Sequence, residues 1–160
     1  MTTLLRFYWG LKFYFKSKTQ RKIESPYLSK FLKYATDVDK NYYDFIPVEQ
    51  IRTSYNYDNK ELEINDLGAG TSTNTPRISS TNKTRTIAEI SKKSSSYKSK
   101  ARLLFNLTRW FKPAQILELG TNLGIGTSYL QLGYKKASVT TLEGDKMLHA
   151  LSQALSLIHI

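Results

Sequence analysis

The sequence contains no cysteine and only two histidines, His149 and His159, among its 160 residues. The missing thiols exclude a disulfide scaffold, a cysteine-ligated zinc site and a thiol nucleophile. Two histidines are too few for a His-rich metal centre, so no metal is expected. No apolar run is long enough to cross a bilayer as a standard helix. Acids are also scarce, 13 against 24 Lys and Arg, leaving a formal net charge of +11. An excess of that size favours an anionic partner, although charge governs association and solubility, not fold. What is present, 40% hydrophobic and 23% charged residues, is a globular composition. The length suits one ordinary domain, or a small domain plus an extension.

The basic excess is uneven. Residues 1–33 carry a net +7, residues 34–70 a net −5, residues 71–113 a net +9, and residues 114–160 none. The neutral, apolar last quarter therefore differs in kind from what precedes it. Thr2 to Lys18 reads as a helix, with Leu4, Tyr8, Leu11 and Phe15 at helical spacing and Leu5, Trp9, Phe13 and Tyr14 widening the face. Two readings fit it: a helix that docks through its aromatics, or one that lies on a membrane surface, since Arg6, Lys12 and Lys16 are mixed in. It is no signal peptide, because Arg6 and Lys12 break the apolar stretch and no small-residue cleavage site follows.

Ser25-Pro26 signals a helix start, with a short helix expected over Tyr27–Tyr34 and another near Pro47–Ser54. Glu61–Ile64 alternates as a short strand does, and Leu67–Thr84 reads as a loop. Helices are expected over Ile87–Ser91 and Lys98–Phe111. The second has Leu103, Leu104, Leu107, Trp110 and Phe111 as its apolar face, leaves Lys100, Arg102 and Arg109 to solvent, and stops at Pro113. Then come a strand over Gln115–Leu119, a glycine turn over Gly120–Gly126, a helix over Thr127–Leu132, a strand over Ala137–Leu142 and a helix over Asp145–Ala154. That order is the opening of a doubly wound α/β domain.

Two glycine segments compete as a ligand loop. A phosphate- or cofactor-binding loop needs a strand before it and a helix directly after it, whose free N–H groups face an anionic group. Gly68-Ala69-Gly70 is followed by a helix-free stretch containing Pro76, so it fails. Gly120-Thr121-Asn122-Leu123-Gly124-Ile125-Gly126 passes, and Glu143 closes the next strand 23 residues beyond Gly120, where an acid can accept ribose hydroxyls. The dinucleotide pattern G-x-G-x-x-G is not met: from Gly124, the third glycine position holds Tyr129.

The pattern Ile116-Leu117-Glu118-Leu119-Gly120-Thr121-Asn122-Leu123-Gly124, an acid, one residue, glycine, three residues, glycine, resembles motif I of the class I S-adenosylmethionine-dependent methyltransferases, nearest to the small-molecule O-methyltransferase branch. Val139-Thr140-Thr141-Leu142-Glu143 is similar to that family's second motif. The likeness spans roughly Leu103 to Ala154. Upstream, the basic aromatic helix, Glu24-Ser25-Pro26-Tyr27 and Gly68-Ala69-Gly70 are similar to bacterial methyltransferase-domain proteins with an H-S-P-[FY] turn, here without its histidine.

The resemblance implies an α/β, Rossmann-like methyltransferase fold represented by its first β-α-β-α unit, residues 101–154, after a mostly helical basic N-terminal region, residues 1–100. It implies S-adenosyl-L-methionine as cofactor. Gly120 and Gly124 would let the backbone approach its methionyl part, helix N–H groups near Gly126 and Thr127 would face its carboxylate, and Glu118, with Thr121 and Asn122, would take its amino-acid end. Glu143 would bind ribose. Gly144 and Asp145 read as a turn and helix cap. No catalytic base is identified, and the methyl acceptor is unspecified.

The last six residues, Leu155-Ser156-Leu157-Ile158-His159-Ile160, are what CTG-TCT-CTT-ATA-CAC-ATC, a sequencing-library adaptor, encodes. The native frame is expected to run to about Ala154, the chain being the front of a longer cytoplasmic enzyme, and His159 has no role. Two other functions compete. Residues 71–113, with Arg77, Lys83, Arg85, Lys92, Lys93, Lys98, Lys100, Arg102 and Arg109 near Tyr97 and Trp110, fit a nucleic-acid binder or an RNA methyltransferase. A nicotinamide-dependent oxidoreductase needs the third glycine that is missing.

Overall fold

The helix signal at Ser25-Pro26 operates as its chemistry requires: Ser25 Oγ accepts the Leu28 N–H at 3.3 Å, and Pro26 occupies a first-turn position that needs no N–H. A computed structural model describes residues 3–16, 23–65 and 82–159. They form two compact units, 1–36 and 37–160. The first holds α1 (Thr3–Lys16) and α2 (Pro26–Ala35). The second runs α3 (Phe45–Tyr57), β1 (Glu61–Asn65), β2 (Asn82–Thr86), α4 (Ile87–Lys93), α5 (Lys98–Phe111), β3 (Gln115–Leu119), α6 (Ile125–Gly133), β4 (Ser138–Leu142) and α7 (Lys146–His159). The chain is thus mixed α/β, as expected. Residues 37–100, expected to belong to an extension, fold in the same unit as the glycine-rich region.

Two two-stranded sheets are present among the described residues. β1 and β2 pair antiparallel, Leu62 opposite Arg85 and Ile64 opposite Lys83. Residues 82–84 were expected in a loop; they are strand because β1 offers its edge to them. Thr86 then ends β2 and starts α4 with a reciprocal cap, its hydroxyl accepting the Glu89 N–H at 3.1 Å while Glu89 accepts the Thr86 N–H at 3.4 Å. The Gly68-Ala69-Gly70 turn lies outside the described residues. β3 and β4 pair parallel, joined through α6, with Glu118 opposite Thr141 and Leu119 opposite Leu142. Gly120 N–H to the Leu142 carbonyl, 2.8 Å, extends the ladder past the strand end.

Two apolar clusters hold the second unit. Phe45, Val48, Ala101, Phe105, Ile125 and Tyr129 form one; Leu62, Ile64, Ile87, Ile90, Leu123 and Leu148 form the other. The first is an aromatic stack, with Phe45 edge-on to Phe105 at 4.8 Å and against Tyr129 at 4.9 Å. The buried face of α5 is therefore Ala101, Phe105 and Thr108, and not the leucine face read from the sequence. Leu103, Leu104 and Leu107 are half-buried, and Phe111 is exposed. The reason is α6, which packs on this face: Ile125 and Tyr129 meet Ala101 and Phe105, and at Gly133 the helices come so close that a Cβ would run into Thr108 and the Phe105 carbonyl.

Arg102 also departs from its expected solvent position. It donates to the Val38 carbonyl at 2.8 Å and to Asn41, and lies over the Phe45 ring. Arg109 is exposed but stacks on Tyr42 at 4.8 Å. Lys98 pairs with Glu49 at 3.5 Å and Lys135 with Asp44 at 3.1 Å. Part of the basic excess is thus met by the acidic segment within the fold.

Glu49 sits at the centre of this. Its Oε1 accepts from Arg52 at 3.0 Å and from the Tyr129 hydroxyl at 2.8 Å. Burial raises its pKa, but the Tyr129 hydroxyl, Arg52 and Lys98 outweigh burial and hold it below its ordinary 4.5. Burial, then Glu49, pushes Tyr129 well above its ordinary 10.0. A depressed acid stabilises fully above its ordinary pKa and loses that stabilisation as pH falls through the folded value; the raised tyrosine loses its own as pH climbs past its ordinary value. Glu49→Gln should therefore flatten the fall in melting temperature as pH drops below the ordinary carboxylate value. A parallel acid limb in the variant would contradict this coupling.

Candidate functional site

At the carboxyl end of β3 the chain must turn sharply before α6 begins. Gly120 (φ 90°) and Gly124 (φ 74°) supply the left-handed conformations, and Asn122 adopts one too at φ 52°. Asn122 stabilises its own strain, its Oδ1 accepting the Leu123 N–H at 2.7 Å. Gly124 begins α6 without a side-chain cap, so the first turn keeps N–H groups that no cap satisfies.

Glu118 pins this turn to the neighbouring strand. Its Oε2 accepts from the Thr127 hydroxyl and, at 2.9 Å, from the Thr141 hydroxyl. Thr141 has given its only proton to Glu118, so at the 2.6 Å Thr121–Thr141 contact Thr121 is the donor. One carboxylate oxygen thereby orders hydroxyls from the loop, α6 and β4. Its other oxygen, Oε1, lies 2.8 Å from where a Cβ on Gly126 would stand, and Ser96 Oγ lies 3.4 Å from the same point. Only glycine fits there without moving the acid.

Glu143 performs the matching task at the end of β4. Its Oε2 accepts the Asn122 N–H at 2.7 Å, and its Oε1 accepts the Asp145 N–H at 3.0 Å. Asp145 caps α7 through Oδ1, which accepts the Met147 and Leu148 N–H groups at 2.9 Å each. Its Oδ2 accepts the Asn65 N–H at 2.6 Å, tying the end of β1 to the start of α7. That cross-link joins residues 80 apart in sequence.

These elements enclose a cleft of about 350 Å³. Six of the residues singled out from the sequence line it: Glu118, Gly120, Thr121, Asn122, Gly126 and Glu143. Gly124 and Thr127 instead line a second hollow, about 460 Å³, between α6, β4 and α7. The hydroxyls of Thr121 and Thr127 are spent on Thr141 and Glu118, so those residues shape the site more than they face it. The opposite wall of the cleft was not foreseen. It comprises Ser94, Ser95 and Ser96 between α4 and α5, with Lys100 and Arg85 beside them. Arg52 holds that wall by donating to the Ser96 carbonyl. The serine run was visible in the sequence, but nothing in residue order says that it folds over Gly126.

The cleft therefore has acids on the strand-end side and bases with hydroxyls on the other. Such a site suits a ligand bearing both an ammonium or hydroxyl donors and a carboxylate. Gly120 faces open space, since a Cβ built there would meet nothing within 4 Å. Among the described residues no group of three or more His, Asp or Glu side chains could hold a metal ion. The position of a third dinucleotide glycine is filled by Tyr129, which is fully buried and bonded to Glu49. No protein-family model, curated protein or solved structure matches this chain.

Proposed function

We propose that this chain carries the cofactor-binding front of an S-adenosylmethionine-dependent methyltransferase with a Rossmann-like fold. One observation carries the reading: Glu118 and Glu143, at the carboxyl ends of adjacent parallel strands, line one cleft with the glycine turn between them. Ligands of open parallel α/β sheets bind at that edge. The residues present fit the group. Glu118 suits its ammonium, Glu143 its ribose hydroxyls, and Ser94–Ser96 with Lys100 its carboxylate. When bound, the cofactor supplies an activated methyl group for displacement by a nucleophile. The chain's own part is to orient and to exclude water; no catalytic base is assigned.

On this reading the sheet face bearing Leu117, Leu119 and Leu142, which are 65%, 77% and 55% exposed, is where further elements of the fold pack, because parallel sheets are covered on both faces. Lys92, Lys93 and Lys100 remain exposed on the basic segment, while Arg102 and Arg109 serve the fold. The nucleic-acid reading thus keeps fewer cations than the sequence offered it, and a small-molecule acceptor is preferred. A nicotinamide cofactor is disfavoured by Tyr129. Saturating S-adenosylmethionine should raise the melting temperature, by linkage, with about 2.7 kcal/mol of stabilisation at a hundred times its dissociation constant. An unchanged melt at millimolar cofactor would sink the proposal.

A further inference from the structure

α1 has an aromatic surface that the cofactor reading does not use. Phe7, Tyr8, Leu11, Tyr14 and Phe15 are all exposed, Phe7, Tyr14 and Phe15 by 70% or more. At helical spacing these five fall within an arc of about 120°, and no charged residue interrupts it. The rest of the circumference carries Arg6, Lys12 and Lys16 together with Leu5, Trp9 and Phe13, and Lys12 lies over the Trp9 ring at 4.6 Å. The sequence as far as Ile23 continues with Lys18, Arg21 and Lys22, giving six bases and no acid before Glu24. α1 is 14 residues long, about 21 Å, short of the roughly 30 Å of a bilayer core. No helix among the described residues is long and apolar enough to cross a membrane.

We propose that α1 is an interfacial helix that seats its aromatic arc in an anionic lipid surface. The occupant follows from charge. A protein groove complementary to this helix would have to pair its three bases and, in sequence, meet three more directly after them with no acid between, whereas an anionic leaflet attracts all six while its acyl boundary takes the aromatics. Aromatic rings belong at that depth, being apolar in body and, in Tyr and Trp, polar at one end. A nucleic acid would satisfy the bases but leave an uncharged arc of this width in water. The proposal is independent of the cofactor cleft, which lies wholly within residues 37–160.

The test is co-sedimentation of the protein with vesicles of phosphatidylcholine alone and of phosphatidylcholine containing about 30% phosphatidylserine. Arg6, Lys12 and Lys16, at about fivefold each, should favour the anionic vesicles by roughly 100-fold, and the preference should shrink as salt is raised. Phe7→Ser with Phe15→Ser should lose binding to both vesicle types. Lys12→Glu with Lys16→Glu should lose only the anionic preference, which separates a charge effect from a failure to form the helix. Equal binding to both vesicle types, binding that survives the Phe7 and Phe15 substitutions, or capture of a single-stranded oligonucleotide in place of vesicles would each overturn the proposal. So would self-association that these substitutions abolish without any vesicle binding.

Discussion

Glu143→Ala should weaken S-adenosylmethionine binding by roughly 10- to 100-fold, the range expected for losing charge-assisted hydrogen bonds. Two effects add. The proposed ribose acceptor disappears, and so do the bonds to the Asn122 and Asp145 N–H groups, at 2.7 and 3.0 Å. Asn122 is then free to leave its left-handed conformation, and the glycine turn loses its shape. Glu143→Gln keeps one carbonyl oxygen able to accept a backbone N–H, so it should fall between the two. Titration calorimetry of the three proteins checks the order. Equal affinities would show that Glu143 neither binds the cofactor nor shapes a turn that does.

Gly133→Ala should destabilise the second unit by about 2 kcal/mol, an overpacking cost of about 3 reduced by the roughly 1 that alanine gains over glycine in a helix. A Cβ at Gly133 would stand 1.8 Å from Thr108 Oγ1 and 2.6 Å from the Phe105 carbonyl oxygen. The hydroxyl cannot simply swing away, because it is bonded to the Leu104 and Phe105 carbonyls at 3.1 and 3.0 Å. The backbone oxygen yields only if α5 and α6 move apart. Thr108→Ala combined with Gly133→Ala should recover part of the loss, since it removes the nearer contact and leaves the farther. Urea unfolding of the four proteins measures this. Strict additivity would mean that the helices are not in contact at this point.

The contrast between these two positions shows what residue order could and could not reveal. The strand, turn, helix, strand run was visible because periodicity and glycine spacing are local properties: Lys98–Phe111 and Gln115–Leu119 have the bounds expected of them. The acids at 118 and 143 were visible because strand ends are. Gly133 was not, because a glycine ending a helix looks like a stop signal until a second helix is laid against it. Asn82–Thr86 escaped for a similar reason, since a short polar run led by Asn and Lys acquires strand character only from a partner edge. The far wall of the cleft is a third case. Ser94–Ser96 reach Gly126 through Arg52, across 44 residues of chain. Arg102 was misplaced because a base on an amphipathic helix reads as solvent-facing, while its actual partners, Val38 and Asn41, lie more than sixty residues away.

The central claim is that the acid-lined cleft at the ends of β3 and β4 binds S-adenosylmethionine and not a nicotinamide dinucleotide. Titration calorimetry of the protein with each ligand in turn tests it most directly. One saturable site for S-adenosylmethionine, undisturbed by excess NADH, is the predicted result. NADH binding at that site, or no heat with S-adenosylmethionine from protein whose folding has been verified by its melt, would contradict the account.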